Sequence, residues 1–387
     1  MRAVICGDVH IGAVFGLGGP NKTGGNTRVD DYSRTLNWAV DYAIDSKADL
    51  FIQTGDLFEV RNPTLEHMSI ADAAFKRLSN ANIASFIIMG NHDYKKTGTG
   101  YTSSILSLSC AELANVKVLV DPKMIHFTSS SGDSANLYLI PYRDRRMFQG
   151  KNNKEQSAIL DGLIRSAISY IQNKDPVIAV GHNFFYEGSY QDFGGSEVMV
   201  DPLAFQGCDL VAMGHLHNFR KLKSDQVNCV YTGSMEKTNF GDINIEKYLI
   251  DYDFSKKEYT TVVLPTRALL DHSIDLSGYD FSNIVSGLNA SIDSLQLNEK
   301  IVRLKIMVEE KFVPAIEKNV IQSRLYSLGA FFVSKIIIEP IVKRVIKNET
   351  VLNHADDISI FKAFLESQDF DKTFRDEILK EAKEIMS

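Results

Sequence analysis

The chain has 387 residues, a formal charge of −7, 24% charged residues and 44% hydrophobic ones. At ~150 residues per domain this length favours two or three domains, and the composition excludes wholesale disorder. The acidic balance argues against a protein that coats nucleic acid by bulk charge, while leaving room for a local basic patch or for metal ions. No run of 18 uninterrupted apolar residues occurs, so no membrane span is expected. The opening residues, Met1 to Asp8, read as a short strand meeting an acid, without the apolar run and cleavage site of a signal peptide. Cys6, Cys110, Cys208 and Cys229 are widely spaced and read as reduced, buried thiols of a cytoplasmic protein rather than a disulfide frame or zinc site.

Residues 1 to about 240 alternate short apolar runs with helical patterns. Val4-Ile5-Cys6 predicts a strand. Leu36, Ala39, Val40, Ala43 and Ile44 then recur at helical spacing behind Asp30 and Asp31 as candidate caps. Leu50-Phe51-Ile52 predicts the next strand. Leu65, Met68, Ala71, Phe75 and Leu78 predict a helix with Pro63 near its start. Further strands are expected at Phe86 to Met89, Val177 to Val180 and Leu210 to Met213. This alternation argues an α/β fold. The runs Leu137 to Ile140, Tyr248 to Ile250 and Thr261 to Leu264 show no long helices between them and predict antiparallel strands.

Near residue 265 the texture changes. After Ser/Asn/Asp-rich sequence come a predicted strand from Ile301 to Ile306, a helix at about 314–328 and a strand from Phe331 to Ile338, a small α+β module. The tail repeats Ile358, Phe361, Phe364 and Leu365, then Phe370, Phe374, Ile378, Ala382 and Ile385, at helical spacing. So short a segment cannot bury two apolar faces alone, so it must dock on this protein's core or on a partner.

Five strand ends carry one kind of punctuation: Gly7-Asp8-Val9-His10, Gly55-Asp56, Gly90-Asn91-His92-Asp93, Gly181-His182 and Gly214-His215-Leu216-His217. In open α/β sheets ligands bind beyond the carboxyl ends of strands, so these ends pool Asp, Asn and His side chains in one place. Taken singly, each is an ordinary turn; the five together, all at strand ends, point to metal. Asp8, His10, Asp56 and His217 can surround one cation, and Asn91, His182, His215 and the other oxygen of Asp56 a second. Imidazole and carboxylate without thiolate suit Mn, Fe or Zn. Two cations sharing a carboxylate lie about 3.5–4 Å apart and activate water for in-line attack at phosphorus.

The series GDVH, GDLFE, GNHD, GHNFF and GHLH resembles the calcineurin-like metallophosphoesterase superfamily. Gly55 to Pro63 (GDLFEVRNP), the Tyr231 to Glu236 run with Phe240-Gly241, and the module after about 270 resemble the SbcD-type nuclease subunit of DNA double-strand-break repair complexes. The resemblance implies a sandwich of sheets flanked by helices, with a nuclease domain over 1–268, an α+β DNA-capping domain over 269–347 and a helical partner-binding tail over 348–387. It implies two metal ions, most suitably Mn2+, on Asp8, His10, Asp56, Asn91, His182, His215 and His217. His92 would protonate the leaving oxygen or steady the scissile phosphate. It further implies double-strand exonuclease and hairpin or single-strand endonuclease activity in DNA repair and recombination. The implied partners are DNA, an SbcC-type coiled-coil ATPase and, through the helix at about 64–80, a second copy, and the implied setting is the nucleoid.

Glu59 stands where phosphoprotein phosphatases of the superfamily begin an Asp-Arg-Gly, whose acid pairs with the catalytic histidine. Two readings of it stand side by side: a hydrogen bond to His92 that favours the protonated imidazole, or a solvated loop acid. The missing Asp-Arg-Gly argues against a protein phosphatase, and the alternative reading is a small-substrate phosphodiesterase or phosphatase.

Secondary features have blander readings. Gly12, Gly16, Gly18, Gly19, Gly24 and Gly25 punctuate a loop that lacks the Lys-Ser/Thr of a nucleotide-binding loop. Arg143, Arg145, Arg146, Lys151 and Lys154, and Arg220, Lys221 and Lys223, are candidates for holding a DNA backbone or for a solvated loop. Tyr186, Tyr190 and Phe193 are expected to pack a loop rather than stack on a base.

Overall fold

The fold is that of a computed structural model, which describes residues 1–387 apart from 22–23, 99, 112, 151, 188–196, 224–225, 342–356, 367–370 and 387. The sites expected at Lys151, Tyr190, Phe193 and Phe370, the start of the tail at 348, and the side chains of Cys110 and Ile385 lie outside the described residues.

The described chain forms two compact units: residues 1–274, 289–305 and 317–337, and residues 275–288, 306–316 and 338–387. The first contains two six-stranded sheets. One runs Glu258–Val263, Tyr248–Asp253, Arg2–Cys6, Leu50–Gln53, Ala84–Ile88, Val116–Leu119, and its last four strands are parallel. The other runs Arg220–Lys221, Cys229–Tyr231, Leu210–Met213, Val177–Gly181, Ser134–Ile140, Lys123–Thr128, with its four central strands parallel.

Alternation along the strands builds the layers. Ala3, Ile5, Leu50, Ile52, Phe86 and Ile88 face Leu137, Leu139, Ile178, Val180, Leu210 and Val230 in a core between the sheets. Val4, Cys6, Phe51 and Ile87 face the other way, onto α1 (Thr27–Asp45) and α2 (Leu65–Asn80) through Leu36, Val40, Phe75 and Leu78. Tyr138, Ile140, Ala179 and Val211 likewise pack on Leu160 and Ile164 of α3 (Asn153–Ser169). The result is a helix–sheet–sheet–helix sandwich. Strands buried on both faces read as continuous apolar runs, which is why they were legible.

Three expectations are corrected. α1 begins at Thr27 and is capped by the Asn26 side chain, which accepts from the Arg28 amide at 2.9 Å; Asp30 and Asp31 lie within the helix. A long helix, α3, does lie between the runs expected to be joined without one, and Ser134–Ile140 accordingly pairs parallel with Val177–Gly181 and antiparallel only with Lys123–Thr128. A right-handed crossover helix is what a parallel pair requires.

A third sheet orders Leu269–Asp275, Ile301–Glu309 and Phe332–Ile341. Within the first unit Leu17, Leu269 and Ile301 form a small core with Phe240, Phe331 and Phe332. In the second unit a Cβ at Gly287 would lie 2.0 Å from the Tyr279 ring, so only glycine admits that approach. Its tail helices, Asp357–Glu366 and Lys372–Met386, bury Leu365 but leave Phe364 48% and Phe374 46% exposed. Among the described residues no helix is long and apolar enough to cross a membrane.

Candidate metal centre

Because the central strands of both sheets are parallel, their carboxyl ends share one side of the sandwich. The turn after Arg2–Cys6 carries Asp8 and His10, and that after Leu50–Gln53 carries Asp56. Residues 90–92 follow Ala84–Ile88, His182 follows Val177–Gly181, and residues 214–217 follow Leu210–Met213. Asp8 bridges to Ser234, and Ile11 bridges to Phe58. The glycines are required by contact: a Cβ on Gly90 would lie 2.1 Å from the Asp56 amide nitrogen, and one on Gly214 would lie 2.5 Å from the Thr54 carbonyl oxygen. Asp56, His10 and His215 themselves sit in left-handed backbone, with φ of 53°, 55° and 84°.

The expected ligands converge in two groups. Asp8, His10 and His217 form one and Asp56, His182 and His215 the other, each with ligand atoms within 4.8 Å of one another. His10 Nε2 lies 3.0 Å from His217 Nε2 and 3.8 Å from Asp56 Oδ2. The same Asp56 oxygen lies 3.2 Å from His182 Nε2, so it stands between the groups. Asn91 Oδ1 lies 2.9 Å from His182 Nε2 and 2.8 Å from His215 Nδ1. The His215 amide donates to Asp8 at 3.0 Å, and the His92 amide donates to Asp56 Oδ1 at 2.8 Å.

Electrostatics follow from burial. Burial and the neighbouring histidines push His215 and His217 down to about 3, so both are neutral imidazoles with free lone pairs at neutral pH. Burial pushes the Asp8 carboxyl up to about 6. Burial also raises Asp56, but His182 outweighs it and holds that carboxyl well below its ordinary range. Burial disfavours the His182 imidazolium, yet Asp56 and Asp8 hold its pKa up at about 9. Buried carboxylates thus favour positive charge at His182, and the Nε2 atoms of His10 and His217 meet at hydrogen-bond distance. Among the described residues His215 Nε2 has no hydrogen-bond partner, and Nδ1 is the ring nitrogen that meets Asn91. Carboxylates and neutral imidazoles converging in two groups on either side of Asp56 suit divalent cations of N/O preference, so the residues fit the expected pair.

His92 stands at the rim, its side chain 35% exposed. The expected contact with Glu59 takes another form. His92 Nδ1 lies 3.0 Å from the Glu59 backbone carbonyl, whereas the Glu59 carboxylate is 3.6 Å from it and only 2.8 Å from His10 Nδ1.

The basic residues divide. Arg143 is buried, and its guanidinium is committed to the carbonyls of Pro141 and Val120 and to Asp121, so it is not a free surface cation. The sequence shows a run of charge there but not the partner loop at 120–121. Arg146 pairs with Asp144 at 2.6 Å, and Arg220 pairs with Glu187. Arg145, Lys154, Lys221 and Lys223 are exposed. The Tyr186 amide donates to Val200 O at 2.8 Å.

Three supporting residues escaped the sequence reading. The buried Asp93 carboxylate accepts from the amides of Gly90 (3.0 Å), Phe58 (3.0 Å) and Leu57 (3.2 Å), joining two site loops; its place directly after His92 was the available signal. The buried Lys247 ammonium donates to the His217 carbonyl at 2.9 Å and lies 3.3 Å from Asp242, a relation no local pattern announces. The Phe184 ring stacks edgewise on His215 with centroids 4.1 Å apart.

The family model for calcineurin-like phosphoesterase matches residues 1–219. The chain is 25% identical over 310 residues to the DNA double-strand break repair protein Mre11 of Methanosarcina mazei, covering 79% of this chain and 46% of that protein. It is 25% identical over 315 residues to the protein of the same name from Methanosarcina acetivorans, covering 80% and 47%. With that of Sulfolobus acidocaldarius it shares 26% identity over 321 residues, covering 78% and 74%. The chain thus spans about half the length of the two Methanosarcina relatives.

Proposed function

The chain belongs to the calcineurin-like phosphoesterase family, and on that premise we propose that it is a two-metal DNA nuclease. The observation that carries this reading is the pair of ligand groups meeting at Asp56, with His92 at their rim. Similarity to proteins named for double-strand break repair supports DNA as the substrate, as do the exposed cations Arg145, Lys221 and Lys223.

Asp8, His10, Asp56 and His217 would hold one cation, and Asp56, Asn91, His182 and His215 the other, with Mn2+ the best match to the donor set. When bound, divalent cations would supply positive charge to the phosphodiester and a water of lowered pKa. The protein's own groups do the rest. His182 Nδ1 donates to the Thr54 carbonyl at 2.7 Å, which fixes the ring and turns Nε2 inward. His92 Nδ1 donates to the Glu59 carbonyl, so its Nε2 is free to carry a proton to the departing sugar oxygen. Residues 269–347 act as a DNA-capping domain. The tail, with Phe364 and Phe374 exposed, is the docking element for an SbcC-type ATPase. α2, with Leu65 exposed at its start, supplies the contact with a second copy.

The test is cleavage of an end-labelled linear duplex with Mn2+, with Mg2+ and with EDTA, comparing wild type with His92→Gln. Shortening that requires Mn2+ and is lost in the variant is expected. Hydrolysis of bis-p-nitrophenyl phosphate without DNA cleavage, unchanged when an ATPase partner is added, would replace this reading by a small-substrate phosphodiesterase.

A further inference from the structure

A histidine that binds metal through one ring nitrogen nearly always gives its other N–H to a fixed acceptor, which sets the tautomer and the ring angle. His182 uses the Thr54 carbonyl, a backbone group. For His10 the other ring nitrogen is Nδ1, and Glu59 Oε2 lies 2.8 Å from it. Among the described residues neither His10 Nδ1 nor Glu59 Oε2 has any other hydrogen-bond partner. On its opposite side the same ring presents Nε2 to His217 and Asp56.

The backbone explains why Glu59 stands there. Ile11 bridges to Phe58, and the Glu59 amide donates to the Ile11 carbonyl at 3.1 Å, so residue 59 is pinned beside residue 10. Asp93 fixes the other side of this segment through the amides of Leu57 and Phe58. From that position Glu59 serves two histidines by different means. His92 takes the backbone carbonyl, which any residue at 59 would supply. His10 takes the carboxylate, which only this side chain supplies.

We propose that Glu59 is a positioning residue for His10, holding its Nδ1 proton and thereby aiming Nε2 into the first ligand group, and that its side chain does not tune His92. The proposal rests on the reading of that group as a metal site. It assigns position 59 a task different from the acid that pairs with a catalytic histidine in Asp-Arg-Gly phosphatases.

The experiment is Mn2+ titration of the metal-free full chain, followed calorimetrically and by electron paramagnetic resonance, for wild type, Glu59→Gln and Glu59→Ala. A pH–rate profile on bis-p-nitrophenyl phosphate at saturating Mn2+ accompanies it. Wild type is expected to take two ions. Glu59→Ala should bind one of them about 10–100-fold more weakly and the other as wild type does. Glu59→Gln keeps an oxygen acceptor toward His10 and should lose less. The midpoints of the pH–rate profile should stay where they are in wild type. Two wild-type affinities in both variants would overturn the proposal, as would unchanged affinities with a moved profile, which would return the side chain to His92. If Glu59→Ala does not fold, Glu59→Gln decides by the same signs. Failure of wild type itself to take up Mn2+ would instead remove the metal-site reading, and the proposal with it.

Discussion

His10 and His217 stand 207 positions apart in the chain, yet their Nε2 atoms face each other across 3.0 Å. With His217 held neutral, its ring nitrogen offers a lone pair in that space, which a divalent cation can take up. Mn2+ should therefore stabilise the fold by about 2.7 kcal/mol at a hundredfold excess over Kd, and so raise the melting temperature in a concentration-dependent way. His217→Ala should remove most of this gain. Differential scanning with Mn2+ and with EDTA measures it, and coincident melting curves for wild type would count against cation binding here.

A second relationship concerns stability. Glu236 is fully buried and accepts from Arg28 at 3.0 Å and from the Thr35 hydroxyl at 2.7 Å. Asp31 completes the network, bonding Arg28 at 2.9 Å and Arg267 at 2.6 Å. Removing Glu236 takes one of two carboxylates from the buried Arg28 guanidinium, so Glu236→Ala should cost about 1–3 kcal/mol, and Glu236→Gln less. A urea midpoint for Glu236→Ala equal to that of wild type would show that the network contributes nothing.

The pH dependence of stability has a local source in α3. Burial pushes the Asp161 carboxyl from 3.8 up to about 6, while its Oδ1 accepts from the Asp201 amide at 3.0 Å. The folded state thus holds this proton more tightly than the unfolded one, so stability falls as pH rises from about 4 through 6. Asp161→Asn keeps the acceptor and cannot ionise. Its melting temperature should match wild type near pH 4 and exceed it above pH 6.5. A constant gap between the two curves would exclude this source.

Binding to duplex DNA separates the arginines. Arg220→Ala with Lys221→Ala should lower the slope of log affinity against log salt by about 1 per lost phosphate contact. Arg143→Ala should leave that slope unchanged and reduce stability, since Arg143 is enclosed by Val120, Asp121 and Pro141. Equal slopes for all the variants would take DNA contact away from Arg220 and Lys221.

The sequence was most readable where one local rule governs the outcome. Strands buried on both faces gave unbroken apolar runs, and glycine followed by Asp, Asn or His marked the strand ends that gather the ligands. It was least readable where a partner far along the chain decides. Arg143 looked like surface charge because nothing near it announces the loop at 120–121. The motif places the Glu59 carboxylate toward His92, whereas it lies 2.8 Å from His10 Nδ1 and 3.6 Å from His92 Nδ1, a choice no local pattern announces. α3 was overlooked because its buried Leu160 and Ile164 alternate with the exposed Ile159 and Leu163, which blurs the helical stripe. Lys247 reaches His217 from a segment 30 residues away.

The left-handed backbone at His10, Asp56 and His215 carries a consequence for how this protein can change. A side chain in that region costs of order 1–3 kcal/mol that glycine would not. Selection for heat resistance alone would therefore favour glycine at positions 10, 56 and 215, and the hardiest descendants would be those that had surrendered their ligands.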